Sequence, residues 1–260
     1  MSVATRARVV GALGRRSLRQ AFRRPMFFAP VFVFPSLFLA VNTGGAGAAV
    51  DLPGFPAVHG FLDFQLAGAI VQSAMLSAVS AGTSLALDIE TGFMDRLMAA
   101  PISRLSVVLG RLSANVVLGF MVGVWFLGLG LIFGAHIEGG VAAVALVILL
   151  SGLTAGAFGW IGAALALRAG RVSVVQGMFP LVFVILFLSS AYFPQALLEQ
   201  PAKAVANVNP MSYIADGLRE PVIANITGAV TLECLAGIAI VALVGMLWSA
   251  SAMRRRLRAA

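Results

Sequence analysis

The sequence predicts an all-α polytopic membrane protein with six transmembrane helices. It adds an N-terminal amphipathic interfacial helix, a short cytoplasmic helix between spans two and three, and a re-entrant outer segment between spans five and six. Three observations carry that expectation. Hydrophobic residues make up 60% of the 260 and charged residues only 11%, less than half of the about 25% usual in a soluble domain. Apolar runs of membrane length recur along the chain, and the basic residues cluster in alternate loops. The net charge of +8 invites a nucleic-acid reading, but a polyanion-binding face needs polar surface that this composition lacks. Disorder is excluded by the apolar content. An internal disulfide framework is excluded by the single cysteine, Cys234.

A bilayer core of about 30 Å takes about 20 apolar residues per helix. The expected spans cover residues 27–41 (interrupted by Pro30 and Pro35), 64–87, 112–133, 141–167, 172–193 and 230–251. They leave no room for a separate soluble domain, so residues 1–260 read as one transmembrane unit. Gly152, Gly156 and Gly159 in the fourth span suit close helix packing. Sixteen of the eighteen Lys and Arg residues lie in segment 1–25, loops 88–111 and 168–171, and the tail after 251. Cytoplasmic loops are enriched in these residues, so both termini are expected in the cytoplasm.

The first 25 residues do not read as a cleaved signal peptide, because no small-residue cleavage site follows the first apolar run at the usual distance. Val10, Leu18 and Phe22 share one helical face with Leu13 and Ala21 nearby, while Arg8, Arg15, Arg16, Arg19 and Arg23 lie mainly elsewhere. That pattern suits a helix lying on an anionic inner leaflet, closed by Pro25. An unstructured basic tail is the other reading.

Reactive constellations are missing. His59 and His136 both fall in predicted outer loops, so no inward metal cluster is available. No G-x-x-x-x-G-K-[ST] loop and no G-x-S-x-G elbow occur. Acids at membrane depth are rare, with Asp88 at the end of span two and Glu233 near the outer start of span six. A proton-driven carrier buries ionisable groups near the midplane, and none is placed there. Energy for uphill movement would have to arrive through a partner.

Two connecting segments carry more. The loop from Asp88 to Arg111 mixes Asp88, Glu90 and Asp95 with Arg96, Arg104 and Arg111. Thr91 is placed to cap a short helix carrying Phe93, Met94, Leu97 and Met98 at helical spacing, which Pro101 would close. Such a helix is a knob for a groove on another protein, or else a surface turn folded back on the membrane. The segment 194–229 holds Pro194, Pro201, Pro210 and Pro221 with apolar stretches of about 5 to 8 residues between them, too short to span but apolar enough to dip into the outer leaflet. Arg219 is expected to pair with Asp216 or Glu220 in a structural role rather than to touch substrate.

At these residues the chain resembles a known family. Glu90, Gly92, Leu97, Pro101, Ser103 and Arg104 in the pattern E-x-G-x-x-x-x-L-x-x-x-P-x-S-R, followed by Leu109-Gly110-Arg111, resemble the first cytoplasmic loop of type-2 ABC transporter permeases of the drug- and lipid-exporter-like branch. Phe179-Pro180-Leu181 with Leu188-Ser189-Ser190-Ala191-Tyr192-Phe193-Pro194, then Asn209-Pro210-Met211-Ser212-Tyr213 with Arg219, match the family's fifth span, outer segment and N-P-x-x-Y-x-x-x-x-x-R signature in order. The chain departs at Asp88-Ile89 and Gly92-Phe93, where the family commonly has a basic residue and Gly-Thr. The short outer loop 42–63 excludes the large extracellular domain of some relatives.

The resemblance implies a bacterial cytoplasmic-membrane complex of two permease chains, identical or homologous, and two copies of an ABC ATPase subunit. ATP and Mg would sit on the ATPase, and this chain would carry no cofactor, metal or catalytic residue and would bind no nucleic acid. A helix at about 91–100 would seat in an ATPase cleft. Phe93, Met94 and Leu97 would pack there, flanked by Gly92 and Pro101, with Glu90, Asp95, Arg96 and Arg104 in rim ion pairs that fix register. Spans two and five would wall the translocation path, with Gln65, Gln72 and Ser80 on the former and Gln176, Phe179, Phe183, Phe187 and Tyr192 on the latter. Phe179, Phe183 and Phe187 recur every four residues on one face; packing or lipid contact is the plainer use of such a stripe, and a path for an apolar or amphipathic substrate (drug, lipid or glycolipid) the sharper one. The alternatives are a non-transporting membrane anchor and a membrane-embedded enzyme.

Overall fold

Every regular element in the computed structural model is helical among the described residues, 3–23, 25–99 and 104–259. In chain order these are α1 (Val3–Arg23), α2 (Pro25–Ala46), α3 (Phe61–Glu90), α4 (Phe93–Ala99), α5 (Arg104–Ile132), α6 (Gly140–Ala169), α7 (Val172–Gln176), α8 (Phe179–Phe187), α9 (Ala202–Val208), α10 (Pro210–Ile223) and α11 (Gly228–Ala259), with short 3₁₀ turns at Gly47–Asp51 and Gln195–Leu197. Five described helices are long and apolar enough to cross a bilayer: those over α2, α3, α5, α6 and α11.

The expected span 172–193 takes a different form. Its helical part stops at Phe187 and is divided at Gly177-Met178 into α7 and α8. Residues Val172–Phe187 are fewer than the about 20 that a straight crossing needs. Gly177 lowers helical propensity at the break, and Pro180 near the start of α8 favours a fresh first turn over a continued one. Pro30 and Pro35, by contrast, lie within the single helix α2.

Small residues set the distances between helices. α3 is the axis, with nearly every position from Phe61 to Ala78 buried. A Cβ placed on Gly68 would lie 2.6 Å from Ala191 O, and one on Gly82 2.7 Å from Gly162 O. The glycine face of α6 packs on α5 as its sequence suggests: a Cβ on Gly156 would meet Val116 at 2.7 Å, and one on Gly159 would meet Asn115 Nδ2 at 2.9 Å. Asn115 itself donates to Ser77 Oγ at 3.2 Å and to the Ala155 carbonyl, tying α5 to α3 and α6. Such contacts hold helices by backbone proximity and dispersion where lipid removes the hydrophobic drive.

α1 forms as expected, and the face that bears Val10, Leu13 and Leu18 turns to α5 instead of to the leaflet. Gly14 is buried against α5, where an added Cβ would lie 3.1 Å from Gly110 O, while Phe22 is 48% exposed. The absent side chain of Gly14, more than the large apolar residues, fixes the approach. Arg16 turns inward to the protein. The segment 194–229 contains the 14-residue α10, longer than its proline spacing suggests, because Pro210 occupies the first turn and Pro221 the last.

Candidate functional site

At the arginine-rich end of the bundle, α3 finishes on Asp88, whose side chain is 4% exposed. Arg16 from α1 grips it with both guanidinium nitrogens, Nη1 to Oδ2 at 3.1 Å and Nη2 to Oδ1 at 3.3 Å. Arg111 from α5 donates to the same Oδ2. A carboxylate inside this bundle is tolerable only when paired and hydrogen-bonded, and the two-pronged guanidinium contact supplies direction as well as charge. Arg16 also lies over the Phe93 ring, 3.7 Å from its centroid. One ion cluster therefore joins α1, α3, α5 and the short helix α4. Neither Arg16 nor Asp88 stood among the candidate site residues, and Arg111 entered only as part of a motif. The available signal was an acid closing a long apolar run beside an arginine-rich segment.

The short helix is present, with a different start. Thr91 Oγ1 donates back to Leu87 O at 2.9 Å, so Thr91 closes α3 instead of capping α4. Gly92 follows with φ +68°, a left-handed conformation that strains any residue with a Cβ. The exposed Glu90 accepts the Val172 amide at 2.9 Å and so satisfies the start of α7. Met94 is 1% exposed and packs with Leu85, Ile89 and Val107, with Leu97 half-buried beside it. Met94 therefore anchors α4 to the bundle and offers no surface to a partner; Phe93 is half-buried under Arg16. Among the described side chains of α4, Arg96 is exposed, as are Glu90 and Thr91 just before the helix. Pro101 and the side chains of Asp95 and Arg104 lie outside the described residues.

The residues expected to line a path divide into two groups. Gln65, Gln72 and Tyr192 are 1%, 0% and 3% exposed, inside the protomer. The Tyr192 hydroxyl donates to Gln72 Oε1 at 2.6 Å, while Gln65 Oε1, Gln72 Nε2 and Ser73 Oγ have no hydrogen-bond partner among the described residues. They are internal because α3 is the axis of the bundle and not a wall. Gln176 and Phe179 instead line an open cleft of about 470 Å³, together with Pro30, Ser80, Thr83 and Pro180. The aromatic stripe forms and packs on α2: Phe34 meets Phe179 at 5.4 Å and Phe183 at 6.1 Å, and Phe38 meets Phe183 at 5.8 Å, Phe187 at 6.3 Å and Tyr192 at 5.6 Å. Phe34 and Phe187 remain 41% and 45% exposed, so the stripe is both helix packing and an apolar surface.

The signature residues repair the broken backbone at the other end. Asn209 accepts the Met211 amide at 3.0 Å as the N-cap of α10, and its amide donates to Ile185 O and Leu188 O at 3.1 and 2.9 Å, closing α8. Pro210 takes the first helical position, where no amide is missed. The Tyr213 hydroxyl donates to Asn207 O at 2.7 Å. Arg219, 5% exposed, spans three elements: Nη1 to Asp216 Oδ1 at 2.5 Å, Nε to Phe64 O at 3.2 Å, and Nη2 to Ser190 O and Ala191 O at 2.9 Å each. Its guanidinium also lies 3.9 Å from the Phe64 ring centroid. The expected pairing with Asp216 is seen, while Glu220 accepts from Thr227 instead.

Residues 8–223 match the family described as ABC-2 type transporter. Over 203 residues the chain is 29% identical to the "Daunorubicin resistance ABC transporter permease protein DrrB1" of Streptomyces coeruleorubidus, covering 75% of this chain and 68% of that one. Over 215 residues it is 27% identical to the "Putative transport permease ycf38" of Porphyra purpurea, covering 81% and 72%. A match over most of the chain, on an all-helical framework with five membrane-length helices, fixes the identification: the chain belongs to the ABC-2 type transporter family and is a membrane permease subunit of an ABC transporter.

Proposed function

We propose that this chain pairs with a second permease chain, identical or homologous, to form the translocation path of an ATP-driven exporter for a hydrophobic or amphipathic substrate. Two ABC ATPase subunits, carrying ATP and Mg, drive it from the arginine-rich end, which faces the cytoplasm of a bacterial cell with both termini. α7 and α8, together with the turn that follows, complete a sixth crossing, and α9 and α10 form the re-entrant outer segment. The apolar face of α2 and α8, with Phe34, Phe179, Phe183 and Phe187, meets the second permease and borders the path. The name of the Streptomyces relative, a daunorubicin resistance permease, supports a flat, largely apolar substrate class, which aromatic faces suit.

The observation that carries the reading is the short helix α4, held at the bundle end by buried Met94 and by the Arg16 contact to Phe93, with Arg96 exposed. An ATPase cleft that closes on ATP would move α4, and the Asp88 cluster would pass that movement to α1, α3 and α5. Membrane lipid surrounds the rest, and the basic face of α1 suits anionic headgroups.

The test is co-purification of this chain with a candidate ABC ATPase subunit from the same organism. Arg96→Glu reverses an exposed charge of α4 and is expected to weaken ATPase capture about tenfold without changing the permease's melting temperature. Undiminished capture would remove α4 from the interface.

A further inference from the structure

The end of the bundle opposite the arginine cluster holds an arrangement that the transport reading does not use. His59 lies in the loop before α3, Asp63 in the first turn of α3, and His136 in the loop between α5 and α6. Each offers one ligand atom, and those atoms all lie within 4.8 Å of one another. The two imidazole rings stack, with centroids 4.6 Å apart and planes inclined by 28°. Asp63 is 3% exposed while both histidines are exposed, so a buried carboxylate forms the floor and two exposed imidazoles the rim. Asp63 Oδ1 accepts the His136 amide at 3.1 Å.

We propose that His59, Asp63 and His136 bind a first-row divalent transition cation of the zinc class. Two imidazole nitrogens and one carboxylate oxygen are a ligand set that Zn²⁺ accepts, whereas Mg²⁺ and Ca²⁺ take oxygen donors throughout. Ligand atoms at about 2.0–2.2 Å from a tetrahedral ion stand roughly 3.3–3.6 Å apart, so closing on the ion asks about 1 Å of movement, within reach of two exposed side chains. The Glu138 carboxylate stands 3.5 Å from His59 Nδ1. From there it holds that nitrogen and leaves Nε2 for the ion, the usual arrangement of an outer carboxylate behind a metal-bound histidine. The fourth position is left to water.

Two further features favour a ligand here. The cluster borders a cleft of about 590 Å³ that also includes Ser36 and Thr43, and the buried Thr43 Oγ1 has no hydrogen-bond partner among the described residues. The loop bearing His136 is pinned to the end of α10, with the Glu138 amide on Val222 O at 2.9 Å and the Gly139 amide on Pro221 O at 3.2 Å. A bound ion would therefore clip the α2–α3 loop and the start of α3 to the α5–α6 loop and, through it, to the helix that carries Arg219.

The experiment uses the full chain, purified in detergent through a tag without histidine and stripped with EDTA. Titration with Co²⁺ is expected to give the visible absorption bands of a tetrahedral nitrogen–oxygen site at one ion per chain. Zn²⁺ should abolish those bands and raise the melting temperature. The double variant His59→Ala/His136→Ala, which changes only exposed side chains, should weaken binding by more than the roughly 10–100-fold typical of outer-shell losses. Asp63→Asn keeps the acceptor for the His136 amide while removing the charge, and should also weaken it. Absence of Zn²⁺-displaceable bands in the native chain, or equal affinity in the native chain and the double variant, would overturn the site.

Discussion

At the Glu90 end of α3 a buried carboxylate is surrounded by guanidinium groups; at the Phe61 end a buried guanidinium is surrounded by carbonyls. Asp88 faces Arg16 and Arg111, one of them on the peripheral helix α1 and 38% exposed. Arg219 faces Asp216 and three backbone oxygens, and its own side chain is 6% exposed. Of the two partners of Asp88, Arg16 is a long, part-exposed side chain that can let go. Most partners of Arg219 are main-chain atoms of a turn and of a helix start, which cannot move without unfolding. The first cluster is built as a joint between bodies, the second as a weld.

The largest expected effect comes from breaking the weld. Arg219→Met keeps much of the volume but withdraws the donors from Phe64, Ser190 and Ala191 and leaves Asp216 unpaired. The expected loss is about 3–5 kcal/mol, the usual cost of removing one partner from a buried ion pair, read as a lower melting temperature and a poor yield of monodisperse protein. Asp216→Asn should cost less, because that carboxylate is 41% exposed and the carbonyl contacts stay. Equal losses for the two would mean that the charge pair, not the carbonyl cage, does the holding.

The contrast between the ends also explains what the sequence disclosed. The long apolar helices, the N-terminal helix, the short helix after Gly92 and the glycine packing face of α6 follow from composition and local chemistry, which act within a few residues. The Asn209-Pro210 start of α10 was legible for the same reason. The interior position of Gln65 and Gln72 was not, because which face of an apolar helix meets protein and which meets lipid depends on every neighbour; α3 became the axis through close contacts such as Gly68 on Ala191 and Gly82 on Gly162. Thr91 misled because a threonine between two helices can cap the second or close the first. The clustering of Asp88 with Arg16 and of His59 with His136 spans 72 and 77 positions of sequence, and no local spacing encodes either.

A middle-sized effect is expected at the joint. Asp88→Asn retains an oxygen for one guanidinium but leaves Arg111, 12% exposed, without its counter-charge. Replacing one charged acceptor by a neutral one at a buried site should cost about 2 kcal/mol, measured by thermal unfolding in detergent. Because the same carboxylate ties α1 to α3 and α5, proteolysis of α1 should quicken in parallel. A loss as large as that of Arg219→Met would erase the distinction between the two ends.

The smallest effect sharpens the distinction most. Arg16→Gln removes one of the two guanidinium partners of Asp88 and uncovers Phe93, while Arg111 stays in place. The lost pair is more than a third exposed on its arginine side, so solvent screening should hold the global cost below about 1 kcal/mol. Global melting should hardly change, yet α1 and α4 lose the contact that joins them, and cleavage within residues 8–23 should be the measurement that responds. A joint predicts this separation between local release and global stability; a second weld predicts that both fall together. If Arg16→Gln lowers the melting temperature as far as Asp88→Asn does, α1 is an integral part of the bundle core, and movement at α4 could not pass through the Asp88 cluster without disrupting the fold.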